Sequence, residues 1–199
     1  SQREFTRDWR SVAMSRSGQY QTAVANNGQI YISSTSGTQW VPKESVRQWR
    51  DVAVSRAAGV TDGQHQTAVN INGRIYVSHD YGETWIARGE RKEWLSVAID
   101  STGVFQAAVI FGGGVWFSAD SGITWNESPS TVRDWQSIAM TDDGTLTAAV
   151  TILDNVYYST DKGATWDTGN IVSEGKILTE ISFAQGDSNF QTIVGDAGS

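Results

Sequence analysis

Residues 78–85 read SHDYGETW, and this octet decides the fold because it returns. Residues 118–125 are SADSGITW and residues 159–166 are STDKGATW, so S-x-D-x-G-x-T-W stands three times at identical spacing. A worn copy, SSTSGTQW, occupies 33–40, with Thr35 in place of the Asp and Gln39 in place of the Thr. A carboxylate beside a histidine suggests reactive chemistry, yet catalytic groups are seldom needed in four copies, whereas a structural turn is. Gly37, Gly82, Gly122 and Gly163 fall where a hairpin needs a positive φ. Asp80, Asp120 and Asp161 can accept hydrogen bonds from turn amides, and Ser78, Ser118 and Ser159 can satisfy more of the backbone. Trp40, Trp85, Trp125 and Trp166 would each bury about 150–250 Å² and pin the turn against a sheet.

The octets belong to a longer period. Trp9, Trp49, Trp94 and Trp135 open four units spaced by 40, 45 and 41 positions. The longer interval has a local cause, since SRAAGVTDGQHQ (55–66) carries five more residues than SRSGQYQ (15–21). Within each unit three strand-like runs precede the closing Trp, in the second unit DVAVS, QTAVNI and IYVSH. β-Branched and aromatic residues dominate these runs, and Gly, Asn and Asp separate them, as in hairpin-linked strands. A fourth strand is expected to start at the closing Trp. In the third strand Ile30, Ile32, Ile75, Val77, Val115 and Phe117 alternate with Tyr31, Tyr76, Trp116 and Tyr157, so both faces are apolar and each sheet should be covered on both sides. Four-stranded meanders recurring every 40 to 45 residues are the signature of a β-propeller.

The expected architecture is therefore all-β, with four-stranded antiparallel blades in one domain spanning 1–199. Its repeats run about 9–48, 49–93, 94–134 and 135–177, with a partial fifth at 178–199. LTEISFAQGDSNFQTIV (178–194) aligns with the start of a unit, Leu178 standing at the Trp position, and QREFTRDW (2–9) matches PKESVRQW (42–49). Both termini together would build the incomplete fifth blade of a nearly closed ring. An arc completed by another chain is the alternative.

Composition narrows the function. Charged residues make up 19% of the chain and glycines number 20, which suits short strands and turns better than helices or disorder. The net charge of −7 argues against general nucleic-acid or anionic-membrane binding. No apolar run approaches the roughly 20 residues of a membrane-spanning helix. Cysteine is absent, which removes disulfides, thiolate metal sites and Cys nucleophiles together. The start, SQREFTRDW, has no apolar core of a secretory signal.

These repeats resemble the Asp-box (BNR) repeats of the sialidase-like and sortilin-like β-propeller superfamily, and the resemblance covers about residues 9–194. It implies the propeller fold, with the box linking the third and fourth strands of a blade far from an axial ligand site, and it implies no activity. Sialidases of this superfamily use an Arg triad, a Tyr and Glu nucleophile pair and an Asp acid/base. The early Arg-Ile-Pro signature is missing here, since the only prolines are Pro42 and Pro129. Glycoside hydrolysis also needs two carboxylates converging on one bond, whereas the acidic residues sit in repeated turns or in loops, as at Asp142, Asp143 and Asp187. His65 and His79 are the only histidines, little material for a metal site or a Ser-His-Asp triad. GGG at 112–114 reads as a hairpin turn, and NES at 126–128 is followed by Pro129. The sequence thus assigns no catalytic residue, metal or cofactor.

One repeated feature lies outside the octets. Arg7, Arg47, Lys92 and Arg133 each stand two residues before an opening Trp, so a ring of equivalent positions could bind an anionic group or an acidic partner. The plainer reading pairs each with Asp8, Asp134 or Glu93, or packs its stem on the Trp. The function expected is a non-enzymatic interaction or structural module, at a virion, extracellular or cell surface rather than in the cytoplasm, with a protein partner or a completing chain. A multivalent lectin is the alternative, opposed by the divergence of the loops RSGQY, RAAGVTDGQH, DSTGVF and TDDGTL between units. A sialidase-type glycosidase is the least favoured reading.

Overall fold

The computed structural model describes residues 7–128, 132–152, 155–169 and 177–183, together with the backbone of 191–196. The stretch 1–6, Pro129, Asp187 and much of the partial fifth repeat lie outside the described residues. Among the described residues every regular element is a strand, and no helix is long and apolar enough to cross a membrane.

Strands β1 (Trp9–Met14), β2 (Gln21–Ser33), β3 (Val41–Val54), β4 (Gln66–Asn70), β5 (Gly73–Ser78) and β6 (Ile86–Lys92) form one six-stranded antiparallel sheet in chain order. A four-stranded sheet follows, made of β7 (Trp94–Ile99), β8 (Gln106–Ile110), β9 (Val115–Ser118) and β10 (Asn126–Glu127). The next contains β11 (Trp135–Met140), β12 (Thr147–Thr151), β13 (Val156–Ser159) and β14 (Asp167–Thr168). The hairpin β15 (Ile177–Phe183) and β16 (Gln191–Asp196) comes last.

Two long strands depart from the expected segmentation. Drawn straight, the 13 residues of β2 would hold its ends about 40 Å apart. Instead Gly37, just beyond its end, lies against Gln21 at its start, where an added Cβ would stand 2.9 Å from Gln21 Oε1. The chain therefore reverses within β2, at Asn27 (φ 52°) and at Gly28, where a Cβ would come within 2.8 Å of Ala25 Cβ. β3 runs on through the junction of two repeats, pairing with β2 through 41–48 and with β4 through 49–54. Glu44, at φ 58°, marks the irregular register of its first half.

A β-bulge recurs at the second residue of each unit. Register slips between Trp9 and Ser11, Trp49 and Asp51, Trp94 and Ser96, Trp135 and Ser137, and Leu178 and Glu180. Strict alternation would put the Trp and the residue two further on one face. The extra residue instead turns the Trp and the residue three further toward the same side. Thus Trp49 packs with Val52, Trp94 with Val97, Trp135 with Ile138 and Leu178 with Ile181.

The core lies between successive repeats rather than at one centre. Val24, Ile30 and Ile32 of the first repeat pack on Trp49, Val52 and Tyr76 of the second. Val69, Ile75 and Val77 pack on Trp94, Val97 and Trp116 of the third. Val109 and Val115 cover Trp135, Ile138 and Tyr157, and Val150 and Val156 cover Leu178 and Ile181. β1, the second half of β3, β7, β11 and β15 lie side by side in that order. The series curls back on itself, since Glu180 of β15 shares a cleft of about 420 Å³ with Trp9, Ser11 and Val12 of β1.

Candidate functional site

Each octet closes on itself. In 78–85, Ser78 Oγ donates to Asp80 Oδ1 at 2.8 Å and accepts the Gly82 amide at 2.9 Å. Asp80 accepts the Thr84 amide on Oδ1 at 2.9 Å and the Thr84 hydroxyl on Oδ2 at 2.6 Å. Asp120 receives the same two bonds from Thr124 at 2.9 and 2.6 Å, and Asp161 from Thr165 at 2.8 and 2.6 Å. Ser118 and Ser159 repeat the role of Ser78 toward Gly122 and Gly163. In the worn copy Ser33 still accepts the Gly37 amide, and Thr35 Oγ1 stands in for the carboxylate by accepting the Gln39 amide at 3.0 Å. Trp40, Trp85 and Trp125 donate their indole N–H to the carbonyls of Gly37, Gly82 and Gly122. Trp166 instead packs on Phe117 and Trp135.

The glycines adopt φ of 77, 86, 82 and 83°. The residue before each, Ser36, Tyr81, Ser121 and Lys162, is also left-handed, at 51, 64, 59 and 59°. Nothing in those residue types announces it. These carboxylates hold their protons weakly. At Asp80 and Asp120 burial opposes ionisation, but hydrogen bonds from Thr84 and Ser78, and from Thr124 and Ser118, outweigh it and lower the pKa. The Thr165 bonds bring Asp161 down to about 2.

The four cations lie at the other end of the sheets. The octets touch the loops after the first strands, with the amides of Ser36, Tyr81 and Ser121 donating to Gln19, Gln64 and Val104. Arg47, Lys92 and Arg133 instead face the opposite turns, paired with Gly28, Gly73 and Gly113. Each cation stacks on an aromatic ring of the repeat that follows it: Arg7 on Tyr31 at 4.5 Å, Arg47 on Tyr76 at 4.7 Å, Lys92 on Trp116 at 4.8 Å and Arg133 on Tyr157 at 4.3 Å. That ring meets the opening Trp edge-on, at 5.1 Å for Trp49 and Tyr76. Arg47 and Lys92 also pair with Glu44 and Glu90. The aromatic partner is the third-strand ring, a contact that linear spacing did not reveal.

Sequence reading also missed a chain of polar contacts between the innermost strands. Asp51 Oδ2 accepts the Val97 amide at 2.9 Å and the Ser96 hydroxyl at 2.8 Å. Ser96 Oγ in turn accepts the Ile138 amide, and Ser137 Oγ the Ile181 amide, both at 3.3 Å. Asp51 keeps some accessible surface, but dense packing around its carboxyl desolvates it and raises its pKa against the hydrogen bonds from Val97, Ser11 and Ser96. A second set of struts crosses further out, where Thr22 Oγ1 donates to Gln66 Oε1 at 2.6 Å and Thr67 Oγ1 to Gln106 Oε1 at 2.7 Å.

His65 and His79 come together with ring centroids 5.0 Å apart. His79 Nε2 lies 2.8 Å from the Ser121 carbonyl, which requires the proton on that nitrogen. Burial, and secondarily the charge of His79, lower the pKa of His65. No group of three metal-ligating side chains occurs among the described residues. A second cleft, of about 470 Å³, opens between the loops 15–20 and 55–65.

No family model matches the chain, and no curated protein matches it. Among solved structures it is similar to YCF48 bound to D1 peptide, with a TM-score of 0.66 and 14% identity over 89% of this chain and 60% of that one. It is also similar to an ancestral GH74 enzyme, with a TM-score of 0.67 and 14% identity over 88% of this chain and 27% of that one. The chain thus spans less than two thirds of either neighbour. At such identity the likeness is one of fold. Both neighbours are β-propellers, and the class of protein defined here is an all-β propeller of antiparallel sheets.

Proposed function

We propose that the chain is a non-enzymatic β-propeller serving as a protein-interaction module, with four complete Asp-box blades and a partial fifth. In this reading the six-stranded sheet is two blades run together at β3, and the reversal inside β2 supplies the missing hairpin. The fivefold bulge and the fourfold octet support that count. The octet carboxylates are engaged by their own turns, and their lowered pKa values suit acceptors rather than general acids. The cation–aromatic pairs brace the opposite end of each blade.

The observation that carries the interaction role is an apolar face left open among the described residues. Trp9 is 42% exposed, Val12 62% and Met14 49%, whereas Trp49, Val52 and Val54 at the same places in the second repeat are at most 4% exposed. Contiguous apolar surface of this kind marks an interaction site. Its counterparts are covered by valines and isoleucines of the preceding repeat. The neighbour YCF48, solved with a bound peptide, is a precedent for protein recognition on this fold.

Light scattering on the wild type and a Val12→Asp variant, alongside glycan-array and glycosidase assays, tests the reading. Self-association lost in the variant, or a monomer silent in both assays, supports an interaction module. Saturable sugar binding at several sites per chain would replace it with a multivalent lectin, and glycoside turnover would replace it with an enzyme.

A further inference from the structure

We propose that the cleft between loops 15–20 and 55–65 binds a carboxylate-bearing peptide segment of a partner protein, with Arg16 as its charge partner. The inference rests on the interaction-module reading and names the chemical class of its partner. The cleft exists because one loop is longer than its equivalents: 55–65 has eleven residues, whereas 15–20, 100–105 and 141–146 have six each. The added residues project Gly59 and Val60 opposite Arg16, Gln19 and Tyr20.

The walls are fixed before any ligand arrives. Asp62, 8% exposed, accepts the amides of Arg16 and Ser17 at 2.6 and 2.8 Å and so ties one loop to the other. The ring of Tyr20 stacks on that of Tyr81 at 4.5 Å, and Tyr81 Oη donates to the Val60 carbonyl. Gly63 lets the loops close up, since a Cβ there would stand 2.8 Å from Tyr20 Cβ. A site preorganised in this way loses little freedom on binding.

Three polar side chains around the opening are uncommitted. Among the described residues the Arg16 guanidinium, the Gln19 carboxamide and the Tyr20 hydroxyl have neither a hydrogen bond nor an ion pair. Asp62 forms no ion pair with Arg16: its carboxylate, though part of the cleft lining, directs its two oxygens to the backbone amides of Arg16 and Ser17. A guanidinium matches a carboxylate as a planar two-pronged donor. A carboxamide can donate to and accept from a peptide group, and Val60, 89% exposed, offers an apolar contact. The net charge of −7 on the whole chain disfavours a polyanion and leaves a short segment with one acidic group as the fitting ligand.

Titration of the ¹⁵N-labelled chain with N-acetyl-Ala-Val-Glu-Ala-amide, its Gln twin and sialyllactose tests this. Saturable amide shifts at Arg16, Gln19, Tyr20 and Val60 are expected with the Glu peptide at millimolar concentration. They should weaken at least about tenfold with the Gln peptide or in Arg16→Ala, and persist in Arg91→Ala. Arg16 is exposed, so its replacement should leave the melting temperature unchanged. Equal response to both peptides, no shift at these amides, or a response to sialyllactose alone would overturn the proposal. Shifts confined to Trp9, Val12 and Met14 would remove this site while leaving the interaction module standing.

Discussion

Ser118 is 3% exposed, and its hydroxyl works in two directions, donating to Asp120 and accepting the Gly122 amide at 2.9 Å. Ser118→Ala leaves that buried amide unpaired and should cost about 1–3 kcal/mol in urea denaturation. The carboxylates of the same turns govern the response to acid. Asp80, Asp120 and Asp161 have folded pKa values below the unfolded value of about 3.9. Their contribution is complete above that value and is lost as pH falls through the folded one, so unfolding midpoints should drop between about pH 4 and pH 2. Asp51 acts in the opposite sense, because its folded pKa is raised by desolvation and its ionised form opposes folding at higher pH. Asp51→Ser, which installs the residue found at Ser11, Ser96 and Ser137, should therefore gain stability relative to the wild type as pH rises from about 4 to 8.

A hairpin turn with two consecutive left-handed residues matches the twist of the strands it joins. Only the second of the two was legible, because glycine advertises its conformation whereas Ser121, Tyr81 and Lys162 do not. Their strain is tolerated where the Ser and Asp side chains over-determine the turn. Gly122, at φ 82°, has Val77 Cγ1 2.6 Å and Gln106 Oε1 2.8 Å from the place of a Cβ, so Gly122→Ala adds overpacking to backbone strain. We expect it to cost about 2–4 kcal/mol. Gly18, at φ 72° with nothing within 4 Å, should lose only about 1 kcal/mol as Gly18→Ala. Thermal melts of the two variants separate these contributions. The bulge after each opening residue was not legible, since it reflects a mismatch in pairing with the next strand, and no one residue type is shared by Arg10, Arg50, Leu95, Gln136 and Thr179 to mark it.

Across the whole molecule, equivalent residues differ according to what lies over them. Trp94 is fully buried and Trp9 is 42% exposed, although both open a unit and both meet an aromatic ring edge-on. Trp94→Ala should cost about 3–5 kcal/mol, and Trp9→Ala only about 1–2 kcal/mol, in guanidinium denaturation. A Trp9 cost approaching that of Trp94 would show that the seam beside Glu180 is shut in solution.

By itself the sequence determined the period, the strands, the octet turns and the all-β class, because each depends on contacts within a few residues or on alternation along one strand. Tertiary structure alone decided which faces are covered, that the cations stack on third-strand rings, that Asp51 joins neighbouring inner strands, and that the longer loop walls a cleft. Those features join groups on separate strands and loops, as the 45 residues between Asp51 and Ser96 illustrate, and packing sets them where no local pattern can.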